Sequence, residues 1–258
     1  MKKHSLITCW TNHSVAILAA IAAICVCLLA GGSGARAEEQ PSGEIEVPAL
    51  LEAAKPYLAQ NSGTVGWLKV GDIVDTPVVK GMGEFYLSHN FLGERASEGA
   101  IFLDEECSIW PKDDHLVIYG HNMRNGRIFG NLDRYLDLSY LKKYPIITFD
   151  TIYEECKYVI VAVYEMSAET EDWHFMQMLK FNFDDNEDFW TFFHQTERRD
   201  RNIYNIPVDV DYGDKLLSLI TCRYTLYDGR LIVMCRELRP DEDIQQATAL
   251  MQSATLRK

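Results

Sequence analysis

The run Leu216-Leu217-Ser218-Leu219-Ile220-Thr221-Cys222-Arg223, followed by Tyr227-Asp228-Gly229-Arg230-Leu231-Ile232-Val233, decides how this chain is read. Its first part is apolar and alternates into a strand that ends in a thiol. Asp228-Gly229 is a strong turn signal, so the second part returns as the neighbouring strand of a hairpin. Cys222 and Arg230 then face each other across the hairpin mouth. About a hundred residues upstream, Tyr119-Gly120-His121-Asn122-Met123-Arg124-Asn125-Gly126 closes another apolar run. Gly120 permits a sharp exit there, which sets His121 at a rim. A thiol, an imidazole and a guanidinium, each at a strand end, can together perform acyl transfer on a peptide bond.

The rest of the chain supplies a scaffold for such strands. From residue 64 onward, short runs rich in Val, Ile, Tyr and Phe recur between Gly, Pro, Asn and Asp. They predict strands near 65–70, 76–79, 100–103, 115–119, 146–150, 158–164, 215–221 and 230–236. Such recurrence points to a closed barrel or a sandwich. Helical spacing appears at 48–60, with Leu50, Leu51, Ala54 and Leu58 on one face and Pro56 expected to kink or divide the segment. It appears again at 125–138, through Ile128, Phe129, Leu132, Tyr135 and Leu136, and at 186–195, through Phe189, Trp190, Phe192 and Phe193. Asp184 or Asp185 is the expected cap of the latter. The stretch 165–205 reads as a long, acidic, aromatic insertion that walls a groove or covers one barrel face. Residues 239–258 read as a tail, a weak helix or a frayed end.

Residues 1–37 read as a targeting segment. Lys2 and Lys3 precede residues 5–35, which contain no Lys, Arg, Asp or Glu. The apolar heart, 15–30, is near the ~17-residue lower limit of a membrane span. Ala35-Arg36-Ala37 resembles a small-residue cleavage site. A retained anchor and a removed signal peptide both fit, and either carries the bulk of the chain out of the cytoplasm. Residues 38–47 are a polar linker, leaving 48–238 as the catalytic domain. Without 1–37 the chain keeps 25 − 3 = 22 bases against 38 acids, a net charge of −16. That balance argues against nucleic acid or an anionic membrane surface as partner.

Seven cysteines fall to four beyond the leader: Cys107, Cys156, Cys222 and Cys235. Cys235 lies inside an apolar run and reads as core. Cys107 and Cys156 have acidic neighbours, which disfavour a thiolate. Arg223 follows Cys222 directly, and a cation beside a strand-end thiol favours the attacking form. No spacing suits zinc. Arg236 is the rival arginine, but it sits roughly 20 Å along the strand from Arg230 at ~3.3 Å per residue. With ordinary pKa values near 8.5 and 6.5, only ~1% of a Cys/His pair would be thiolate–imidazolium. No Asp or Asn side chain is assignable as the orienter of His121, although Asn122 is adjacent.

At these residues the chain resembles a class B sortase, over nearly all of 44–238. The resemblance rests on Val65-Gly66-Trp67, Pro77-Val78-Val79, Tyr119-Gly120-His121-Asn122-Met123, the 129–132 helix, the segment ending in Cys222 and the one opening at Arg230. It implies a mainly β fold, a sortase-type closed eight-stranded β-barrel with peripheral helices. It implies a membrane-retained cysteine transpeptidase of a Gram-positive surface, without metal or organic cofactor. Cys222 would attack the Thr carbonyl of a C-terminal sorting signal, of Asn-Pro-x-Thr type. His121 would serve as acid and base, and Arg230 would bind the signal and stabilise the oxyanion. An amine of a peptidoglycan precursor or a pilin lysine would resolve the thioacyl enzyme. Ser88, Tyr119, Ile220, Thr221 and Arg223 are assigned to substrate binding. Ile220 stands where class B members often have Ser, and Ser88 where relatives often carry an amide.

Three alternatives are weaker. A papain-like protease places Cys before His and on a helix start. An L,D-transpeptidase wants a compact His-Gly-Cys-like segment. A non-catalytic peptide-binding barrel has no need of all three reactive groups.

Overall fold

The computed structural model describes residues 46–168, 179–196 and 202–257. The chain divides into two units, residues 1–48 and 49–258, and the second carries every element named below. The leader and most of the linker lie outside the described residues, as do 169–178 and 197–201 of the insertion. Among the described residues no helix is long and apolar enough to cross a membrane.

The strands are β1 (Thr64–Val70), β2 (Val74–Val79), β3 (Phe102–Leu103), β4 (His115–Tyr119), β5 (Ile146–Thr151), β6 (Lys157–Ser167), β7 (Tyr204–Asn205), β8 (Leu216–Arg223), β9 (Gly229–Glu237) and β10 (Thr255–Leu256). Eight of them close into a barrel in the order β1-β2-β3-β4-β8-β9-β6-β5. These are the eight strands that the sequence predicts. Strands β7 and β10 carry no sequence signal because each is two residues long and shows no alternation; they pair with each other. Leu68, Val70, Val78, Ile118, Leu219 and Val233 are fully buried, as expected where an eight-stranded interior is filled by side chains.

Two pairings place the chemistry. Strands β4 and β8 run parallel, with Tyr119 opposite Ile220. Strands β8 and β9 run antiparallel, with Cys222 opposite Arg230.

The helices are α1 (Lys55–Gln60), α2 (Leu138–Lys143), α3 (Asn186–Thr196) and α4 (Ile244–Met251). The first is shorter than its spacing suggests. Leu51 is extended and its N–H goes to Ile152 O at 2.8 Å, so the chain is held strand-like before a 3-10 turn, Glu52–Ala54. Pro56 sits in the first turn of α1, where its missing N–H costs nothing. The helix expected at 125–138 is also corrected. Ile128 adopts φ 58 and pairs as a bridge with Asn122, which breaks helical geometry. A 3-10 segment, Leu132–Leu136, follows, and α2 starts only after Asp137 accepts from Ser139 N.

Asp185 caps α3, its Oδ1 accepting from Asp188 N at 2.9 Å. Phe192 of α3 packs on His115, ring centroids 5.2 Å apart, and His115 Nε2 meets Ser218 Oγ at 2.8 Å. A helix does not fit inside so narrow a barrel, so this is its outer face. By strand alternation Ile220 and Cys222 share that face with Ser218. The tail is not frayed. Asp243 caps α4, Ala247 and Met251 are buried, and β10 joins β7.

Candidate active site

The backbone ladder between β4 and β8 ends at Tyr119 and Ile220, and side chains continue it. Gly120 N donates to Ile220 O at 3.2 Å, and Thr221 Oγ1 donates to Gly120 O at 2.7 Å. Asn122 Nδ2 donates to Cys222 O at 2.7 Å, and Tyr224 OH donates to Asn122 O at 3.2 Å. His121 lies between these rungs, so its backbone is about one strand spacing, ~4.8 Å, from the Thr221–Cys222 segment.

His121 is 5% exposed and so is buried, not at an open rim. Its Nε2 contacts Leu87 O at 2.8 Å, and its own carbonyl accepts from Met123 N and Phe129 N. The glycine before it answers to packing: a Cβ on Gly120 would stand 2.7 Å from the Phe129 ring.

Cys222 and Arg230 form a cross-strand pair, with Cβ atoms about 5 Å apart by the geometry of such pairs. Arg230 is 3% exposed, and its Nη1 donates to Asp228 Oδ1, Asp228 O and Gly229 O at 3.0–3.1 Å. Cys222 is half-buried. Burial raises its thiol pKa, Arg230 lowers it and Asp228 raises it. The cation that acts on the sulfur is therefore Arg230. Arg223 points to the opposite face of the sheet, where its Nε pairs with Glu165 of β6. That corrects its expected effect on the thiol.

The remaining expected contacts divide. Ser88 is half-buried and follows Leu87 in the chain, with its Oγ 3.2 Å from His89 Nδ1. Tyr119 and Thr221 are buried, and their hydroxyls donate to Asp104 Oδ2 and Gly120 O. Ile220 is 1% exposed. These three support the site from within the wall. Sequence reasoning misses Tyr224 and Leu87 as site residues, names Asn122 only as a neighbour of His121, and names Asp228 only in the turn before Arg230. Asn122 and Tyr224 follow strand ends and Asp228 immediately precedes a strand, all as polar groups, a signal available in the sequence; a main-chain carbonyl leaves none.

The other described thiols, Cys107, Cys156 and Cys235, are buried. Burial first, and neighbouring acids second, push Cys156 up to about 12 and Cys107 higher still. For Cys107 the acids are Asp104 and Asp113, not its sequence neighbours. Burial alone raises Cys235. Among the described residues no group of three or more His, Cys, Asp or Glu is arranged for a metal. A cavity of about 350 Å³ lies elsewhere, lined by Trp190, Phe193, Tyr204 and Arg257 among others, and includes none of these site residues.

The sequence matches the family model of the sortase domain over residues 69–238. Sortase B of Listeria monocytogenes is 30% identical over 164 residues, 63% of this chain and 63% of that protein. The chain thus spans under two thirds of that relative's length. The X-ray structure of Clostridium perfringens Sortase B is similar at a TM-score of 0.64 and 28% identity, over 72% of this chain and 99% of that one. A crystal structure of Sortase B complexed with triglycine gives 0.64 at 25% identity, over 72% and 86%.

Proposed function

The chain belongs to the sortase family, and we propose that it is an exported class B cysteine transpeptidase that sorts surface proteins through Cys222, His121 and Arg230. The observation that carries this reading is the register that sets Cys222 opposite Arg230 while β4 delivers His121 alongside. Residues 48–238 are the catalytic domain, and 1–37 hold it at the outer face of the membrane.

The substrate is a C-terminal sorting signal of Asn-Pro-x-Thr type. Cys222 Sγ passes its proton to His121 and attacks the Thr carbonyl carbon, and the oxyanion forms beside the Arg230 guanidinium. That guanidinium is almost fully desolvated, which strengthens its field on developing charge. The C–N bond then breaks and the leaving amine takes a proton from His121, giving a thioester. An incoming amine loses its proton to His121, attacks the thioester carbonyl and releases the Cys222 thiol. The acceptor is an amine of a peptidoglycan precursor or a pilin lysine; a related Sortase B is complexed with triglycine.

The test is incubation of the full chain with quenched Asn-Pro-x-Thr-Gly peptides and triglycine. Cleavage after Thr with transfer to triglycine is expected, and Cys222→Ala should abolish both. Hydrolysis at unrelated sites would make the chain a protease instead, and binding without turnover would make it a binding module. Arg230→Ala should lower turnover about 10²–10³-fold with the fold intact, the worth of an oxyanion donor. Near-normal turnover would reject that role.

A further inference from the structure

The ring of His121 is held by a main-chain group. Its Nε2 lies 2.8 Å from the carbonyl oxygen of Leu87. A carbonyl can only accept, so Nε2 carries a proton whether the ring is neutral or charged, and the neutral ring has its lone pair on Nδ1.

That carbonyl is fixed by its surroundings. Leu87 ends a 3-10 helix, Phe85–Leu87, in the connection between β2 and β3. The carbonyls on either side of it are taken by the returning chain: Tyr86 O accepts from Ala100 N at 2.9 Å and Ser88 O from Ala96 N at 2.8 Å. Leu87 O is the one left to His121. Gly99 packs beneath, and a Cβ there would stand 2.4 Å from Tyr86 O and 3.0 Å from Leu87 O. The turn that aims the acceptor thus closes only over a glycine.

We infer that the Leu87 carbonyl is the positioning group of the site, and that Nδ1 of His121 exchanges protons with Cys222, the leaving amine and the incoming amine. It occupies the place an Asp side chain holds in a Ser-His-Asp triad, fixing tautomer and ring orientation. Unlike a carboxylate, it does not titrate, so the tautomer persists wherever the fold does. The naming of the proton partners rests on the transpeptidase reading above; the ring orientation does not.

Long-range ¹H–¹⁵N correlation spectra of the histidine rings in the full chain test this, with His121→Gln assigning the signal. A single Nε2–H tautomer is expected for neutral His121. Gly99→Ala forces the Tyr86–Leu87 backbone to shift. It should replace that pattern with averaged tautomers and lower kcat for signal cleavage at least tenfold, with KM within twofold. An Nδ1–H or averaged pattern in the unaltered protein would overturn the inference. So would a folded Gly99→Ala variant that loses the tautomer and keeps kcat within twofold. If that variant does not fold, the unaltered protein's tautomer decides. An Nε2–H pattern in a protein that cleaves no sorting peptide would remove the transpeptidase reading and leave the ring orientation standing.

Discussion

Burial pushes the Cys222 thiol above its ordinary range, Arg230 pulls it down, and Asp228 pushes it up again. The balance favours the protonated thiol over the thiolate. The thiolate, the form that reacts, grows about tenfold per pH unit until the pKa is passed. Iodoacetamide labelling of Cys222 should therefore accelerate about tenfold between pH 7 and 8; the three other described thiols are buried. Asp228 offers a finer test. It adopts φ 45, a conformation that Asn tolerates, so Asp228→Asn keeps the turn. The change removes the carboxylate that opposes the thiolate and pairs with Arg230 at 3.1 Å. Labelling at pH 7 should become several-fold faster, with the pH profile moved to lower pH. An unchanged profile would mean that the sulfur does not feel Asp228.

Strand β4 carries a second histidine that the chemistry does not use. His115 is fully buried, bonded to Ser218 Oγ and Lys180 O at 2.8 Å each, and covered by Phe192 of α3. Burial lowers its pKa from 6.5 to about 4, with Lys180 O opposing. The unfolded chain therefore takes up this proton first as pH falls. The stability tied to neutral His115 is fully present above about pH 6.5 and is lost toward pH 4, up to roughly 3 kcal/mol. Urea unfolding at pH 7, 5.5 and 4 should show that loss, and His115→Gln should flatten it. An equal slope in the variant would assign the acid sensitivity to other groups. The barrel strands are legible in the sequence because short apolar, β-branched runs bounded by turn residues survive tertiary packing, as in 115–119 and 230–236. The segment 125–138 misleads because Phe129 and Leu132 keep helical spacing although Ile128 turns left-handed to meet Asn122. Cys222, His121 and Arg230 are legible as strand-end groups. The face of Arg223 is not, because adjacency in sequence places strand neighbours on opposite sides of a sheet.

Taken whole, the barrel is fastened by charge away from the site as well as by its core. Arg236, 1% exposed, meets Glu242 at 2.5–2.8 Å, Asp209 O at 3.0 Å and the Asp214 carboxylate at 3.8 Å. It ties β9 to the residues before β8 and to the segment leading into α4. Breaking one partner of a buried ionic network costs about 3–5 kcal/mol. Arg236→Met should therefore lower stability by that order in urea, while the variant, kept cold and folded, cleaves sorting peptide at the normal rate. A variant as stable as the parent would reject the network's role. The parallel pairing of β4 with β8 has a further consequence. Gly120 and Thr221, bonded to each other, are 101 residues apart in the chain, farther than any partners joined across β1 and β5 or β6 and β9. Each doubling of such a span adds only about 0.6 kcal/mol to the cost of closure, but contacts between distant parts of a chain form more slowly than local ones. A polypeptide in which β4 and β8 have not yet paired holds the sulfur and the imidazole on separate pieces. Cys222 and His121 meet only when that seam zips, so the pairing of β4 with β8 itself completes the proposed site.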